Sequence, residues 1–199
     1  MAESISIELT EILDNYAQAM AESNYHYYNN LKNRTLVING EIDEYTMDTV
    51  IIPLLQMDND GSNEPITIYL NTPGGIVYVG LNLCDVISKL KTKTTIITMA
   101  YAYSMGSLIL MAGFNNPNVT RSCYKFSTAL IHGGSLYLEG SSTSVKDTYA
   151  FNEAYESKID QYILNNSKID ENIYKDKSRY EWYMDSQDML NYGLVDEVI

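Results

Sequence analysis

"TMAYAYSMGSLILMAG", residues 98–113, passes from alternating small and aromatic residues into an almost unbroken apolar run. With the preceding β-branched residues of "TTIITMA" it reads as a strand that turns directly into a short buried helix, with Ser104 at the joint. Strand-to-helix joints of this kind are the repeating unit of α/β proteins. A serine placed there has two uses. Its oxygen can cap the free N–H groups of the first helical turn. Alternatively, it can present a nucleophile beside N–H groups that favour negative charge.

The chain on either side repeats the pattern. "RTLVING" and "ITIYL" read as strands, "EYTMDTVIIPLLQMDND" as a helix, and Leu83, Val86, Ile87 and Leu90 fall on one helical face. "KFSTALIH" reads as a further strand and "GGSLYLEG" as an extended, glycine-bracketed stretch. From about Thr143 to Asn165 the spacing of Val145, Tyr149, Ile159, Tyr162 and Ile163 predicts a long helix. The tail gives a short helix closed by Gly193 and a last apolar strand. Alternating strands and helices imply βαβ units around a mainly parallel sheet. Ahead of these, Ile5, Leu9, Ile12, Leu13, Tyr16 and Met20 predict an amphipathic helix, followed by a polar, aromatic connector, "AESNYHYYNNLKN".

At 199 residues the chain is long enough for one domain with a good core. Its 13 basic and 26 acidic residues give a net charge of −13, which argues against nucleic acid or an anionic membrane as the main partner. No stretch approaches the length of a membrane span, and the N-terminus has no secretory pattern. Cys84 and Cys123 lack CxxC spacing, so a disulfide framework or zinc site is not expected, and a cytoplasmic location fits. Eighteen tyrosines stand against three phenylalanines. Most read as half-buried packing residues and a minority as aromatic surface at subunit or partner contacts.

A serine nucleophile needs a base. Of the two histidines, His26 lies in the connector, whereas His132 ends a strand before Gly133-Gly134, where a side chain can face a cleft. "NTPGG", residues 71–75, sits at another strand-to-helix joint. There Gly74 and Gly75 let the backbone approach a substrate and can present an N–H beside that of Met105. Together these form a candidate oxyanion hole.

"YLNTPGG", "MAYAYSMGSLILMAG", "ALIHGG" and "NYGLVDEV" resemble, in order and approximate spacing, the signatures of the ClpP family, the proteolytic subunit of the Clp protease. The resemblance runs from about Arg34 to Ile199. It implies the ClpP/crotonase-like α/β spiral of βαβ units with a protruding strand-helix handle at about residues 133–166. It also divides the chain into an N-terminal segment, 1–33, and a peptidase domain, 34–199. By position, Ser104 falls on the family nucleophile, His132 on its general base, Gly74 and Met105 on the oxyanion donors, and Gly75 and Ile76 on the strand that pairs with substrate backbone.

The implied activity is serine-type endopeptidase hydrolysis of unfolded polypeptides inside two stacked heptameric rings. An ATP-dependent AAA+ unfoldase would feed the chamber, and no metal or other cofactor is implied. Three departures accompany the likeness. The family's acidic aspartate is replaced at its place in "RYEWYMDS" by Glu181, with Asp176 and Asp185 as alternatives. Gly133-Gly134 replaces Gln-Pro. The N-terminus lacks the axial-loop pattern. The glutamate and the N-terminus leave a second reading, a ring subunit of the same fold that does not cleave; the shared spiral architecture and backbone oxyanion hole leave a third, a crotonase-type acyl-CoA enzyme.

Overall fold

Runs rich in β-branched residues build the sheet, and the computed structural model describes residues 24–134 and 138–199 of the chain. Strands β1 (Thr35–Asn39), β2 (Ile66–Thr72), β3 (Thr94–Tyr103), β4 (Val119–Cys123) and β7 (Glu197–Val198) lie side by side in that order, all parallel. Strand β5 (Thr128–Ile131) pairs parallel with the last part of β3, and β6 (Trp182–Met184) pairs antiparallel with β5.

The fork in β3 has a visible cause. Two residues advance along β2, from Leu70 to Thr72, while four advance along β3, from Thr98 to Ala102. This bulge lets β3 leave β4 and take up β5.

Six helices follow in the described residues after the helical stretch α1, residues 24–32. A π-helical turn, Met47–Ile51, runs into α2 (Ile52–Asn59). Helices α3 (Val77–Ser88) and α4 (Met105–Met111) follow the two motif-bearing strands. Helix α4 is buried along its whole length, and Leu83, Ile87 and Leu90 are buried with it in one core. The C-terminal part contributes α5 (Ser142–Asn165), α6 (Glu171–Lys177) and α7 (Ser186–Asn191). The α/β class, the parallel sheet and the long helix thus agree with the sequence reading.

Four details differ. Residues 24–32 of the expected connector are helical, and Leu31 packs against the core. Strand β5 is shorter than "KFSTALIH", because Lys125 and Phe126 form a turn. Within "GGSLYLEG", residues 133–134 and 138–140 belong to no strand, and residues 135–137 lie outside those described. The sequence reading also passed over β4, α6 and β6. The amphipathic helix expected over the first twenty residues lies outside the described residues.

Candidate active site

Ser104 occupies the residue before α4 with φ 53° and ψ −120°, a left-handed conformation that non-glycine residues seldom adopt. Its side chain makes no capping hydrogen bond to the helix. The structural use of serine here falls instead to Ser107. Its buried hydroxyl lies 2.7 Å from the Ala102 carbonyl and 2.8 Å from that of Leu130, tying β3 to β5 beneath the turn. The Ser104 N–H donates to the Leu130 carbonyl at 2.8 Å. The backbone of residue 104 is therefore pinned while its hydroxyl is left uncommitted to the helix.

The "NTPGG" turn packs directly on this joint. A Cβ at Gly74 would meet Ser104 Cβ and the Tyr103 carbonyl at 2.8 Å and Met105 N at 3.0 Å, and φ at Gly74 is +101°. Only glycine permits that approach, and it packs the Gly74 turn against the joint that carries Met105 N. One feature was not foreseen. The Gly74 N–H donates to the buried Thr72 hydroxyl at 3.1 Å, which orients it in the resting protein.

Gly75 and Ile76 lie against Ile42. The Ile42 N–H donates to the Gly74 carbonyl and the Ile76 N–H to the Ile42 carbonyl, each at 2.8 Å. In such a parallel bridge the N–H and C=O of Gly75 itself point the other way, towards the side where a further strand could add. The Ile76 N–H is already used by Ile42.

His132 follows β5, and its Nδ1 lies 3.0 Å from Glu181 Oε1, just ahead of β6. The β5–β6 register pairs Ile131 with Trp182, which sets residues 132 and 181 opposite one another. Of the alternatives, Asp185 is engaged as the N-cap of α7, accepting from Asp188 N–H at 2.9 Å. Asp176 lies exposed in α6. Pairing through Nδ1 frees Nε2 of His132, although no hydrogen bond joins Ser104 to His132 among the described residues.

Gly133 and Gly134 have neither a left-handed φ nor a crowding neighbour. With His132, Tyr180 and Glu181 they border a depression of about 480 Å³. His26, the other histidine, lies in α1.

Burial pushes the Cys84 thiol up to about 12 and that of Cys123 to about 11, so neither thiol competes as a nucleophile near neutral pH. Both are free.

The "NYGLVDEV" motif has a structural task. Arg121 on β4, 2% exposed, donates to both Asp196 carboxylate oxygens and through Nη1 to the Gly193 and Leu194 carbonyls. Asp196 also accepts the Arg121 backbone N–H at 2.8 Å. This clamp fixes the chain that leaves α7 against the sheet. Its partners are 75 residues apart, too far for any local pattern to connect.

With this geometry in place, likeness to known proteins is decisive for the family. The Clp protease family model matches residues 19–199. The chain belongs to the Clp protease family. It is 31% identical over 172 residues to the ATP-dependent Clp protease proteolytic subunit of Borreliella afzelii, covering 85% of this chain and 84% of that protein. The subunit of the same name from Deinococcus radiodurans is 28% identical over 180 residues, covering 89% and 86%. That from Bacteroides thetaiotaomicron is 28% identical over 170 residues, covering 85% and 76%.

Proposed function

We propose that the chain is a serine endopeptidase whose nucleophile is Ser104, whose base is His132 and whose orienting acid is Glu181. The observation that carries this reading is the strained, non-capping Ser104 beside the Gly74–Met105 cradle. Strain at a residue whose hydroxyl does not serve the helix has a ready use in catalysis.

In the proposed reaction, His132 Nε2 takes the Ser104 proton as Oγ attacks a peptide carbonyl. The resulting oxyanion rests on the Met105 N–H, at the N-terminus of α4, and on the Gly74 N–H. The Gly74 N–H donates to Thr72 Oγ1 and would exchange that bond for the oxyanion. The imidazolium, stabilised by Glu181, gives its proton to the leaving amine. Water, deprotonated by the same imidazole, then releases the acyl group and restores Ser104. The Gly75 backbone groups, directed away from Ile42, would pair with substrate main chain, which favours broad specificity.

Residues 34–199 form the peptidase domain in this reading, with a handle over about residues 133–166. Helix α5 spans about 36 Å at 1.5 Å per residue, and of its residues only Ile163 is fully buried. A helix so exposed suits the contact between two stacked heptameric rings in the cytoplasm. The relatives are named as proteolytic subunits of an ATP-dependent protease, and on that likeness this chain would work with a separate AAA+ unfoldase.

A fluorophosphonate probe tests the chemistry. A covalent adduct on Ser104 is expected, and its absence from the assembled protein would favour the non-cleaving ring subunit. Coenzyme A thioester binding without peptide hydrolysis would favour the acyl-CoA enzyme.

A further inference from the structure

Strands β3, β5 and β6 carry more than the catalytic candidates. In register, Tyr103 pairs with Leu130 and Leu130 with Tyr183, so all three side chains rise from one face of the sheet. His132 and Glu181 stand one pleat further along, two residues beyond Leu130 and two before Tyr183. They therefore share that face.

The tyrosine rings touch. Tyr103 meets Tyr183 edge-on with centroids 5.8 Å apart, and Tyr101 leans on Tyr103 at 4.9 Å. The Tyr103 hydroxyl is held by Thr128 Oγ1 at 2.9 Å. Leu130 between them is only 6% exposed, whereas Tyr183 is 59% exposed. The result is a braced aromatic ledge with an open outer edge, one pleat from His132 along the same face.

We infer that this ledge is a specificity-determining surface for the residue on the C-terminal side of the scissile bond, favouring an aromatic or large aliphatic side chain there. The inference rests on the peptidase reading. Its chemical basis is the position of the base. The imidazole must hand its proton to the leaving amine, so the leaving half of the substrate lies on the His132 side of Ser104. The ledge lies on that side. Its rings offer apolar and edge-to-face contact to a side chain entering there, with Tyr103 already fixed and little freedom to lose.

The test uses the assembled full-length protein and internally quenched peptides that differ only at the residue after the cleaved bond: Phe, Leu, Ser or Asp. Mass spectrometry of the products confirms the cleavage position. The expected kcat/KM is about tenfold higher for Phe and Leu than for Ser and Asp. Tyr183→Ala should reduce that ratio to about one, and Tyr183→Phe, which keeps the ring, should restore it. Hydrolysis with no preference at that position, or a preference unchanged in Tyr183→Ala, overturns the ledge alone. A Tyr183→Ala protein whose assembly changes while its preference persists shows a second subunit covering the ledge, and also overturns it. No hydrolysis of any peptide, together with an unlabelled Ser104, overturns the peptidase reading and the ledge together.

Discussion

The β5–β6 register brings the Glu181 carboxylate to His132 Nδ1 at 3.0 Å. If that contact orients the base, Glu181→Gln should lower kcat roughly 10²- to 10⁴-fold with little change in unfolding midpoint, since Glu181 is exposed. Steady-state hydrolysis of a fluorogenic peptide measures it, and unchanged turnover would remove Glu181 from the mechanism. Gly74 is constrained differently. Gly74→Ala would place a methyl 2.8 Å from Ser104 Cβ at a φ of +101°. The rate of fluorophosphonate labelling should fall at least about tenfold, with a stability loss of about 1–3 kcal/mol in urea titration. Ser104, His132, Gly74 and Met105 stand out as candidates in the sequence because each sits where a strand ends, and such ends are marked by local residue patterns. The aim of the Thr72 hydroxyl and the ledge of Tyr103 and Tyr183 do not, because both depend on neighbours that the sheet supplies.

Among the elements, those with a period or a sharp boundary were legible: β2, β3, α3 and α5 all lie where apolar spacing places them. The misses share a cause. Strand β4 carries a buried Arg121 and polar Ser122 and Thr120, so it lacks the apolar alternation of a strand until the Asp196 clamp is known. Strand β6 is only three residues long and exists through its pairing with β5. The clamp yields a prediction at this scale. Arg121→Met removes the buried guanidinium from the Gly193 and Leu194 carbonyls and should cost about 3 kcal/mol, measured by urea unfolding. A change below about 0.5 kcal/mol would show that α7 and β7 dock without it. The segment after α2 has a pH signature. Ser62, through its backbone N–H and hydroxyl, and Arg34 hold the Asp60 carboxyl down at about 2. The folded value lies below the unfolded value of about 3.9. Its stabilising contribution is therefore complete above about pH 4 and lost as pH falls towards about 2. Asp60→Asn should match wild type at the acid end of that window and be the less stable protein above it, as thermal unfolding against pH would record.

At the scale of the whole molecule, α5 is the feature a single subunit does not account for. Tyr149 is 54% and Phe151 66% exposed on a helix that, among the described residues, is buried only near its C-terminal end, at Ile163, where the Tyr162 hydroxyl also donates to the Leu108 carbonyl of α4 at 3.0 Å. If this helix joins two rings, Tyr149→Glu combined with Phe151→Glu should convert the double ring into single rings. Native mass spectrometry reads this directly, and an intact double ring would move the contact elsewhere. The periodicity that predicted α5 says nothing of what covers it, because an exposed apolar face looks the same in sequence as a buried one. The central claim concerns the hydroxyl at the strand-to-helix turn. Its most direct test is intact-mass and peptide-level analysis of the assembled protein after treatment with a fluorophosphonate. The account predicts one adduct per subunit, on Ser104, lost in Ser104→Ala and strongly slowed in His132→Ala; an unlabelled Ser104 in the assembled particle would contradict it.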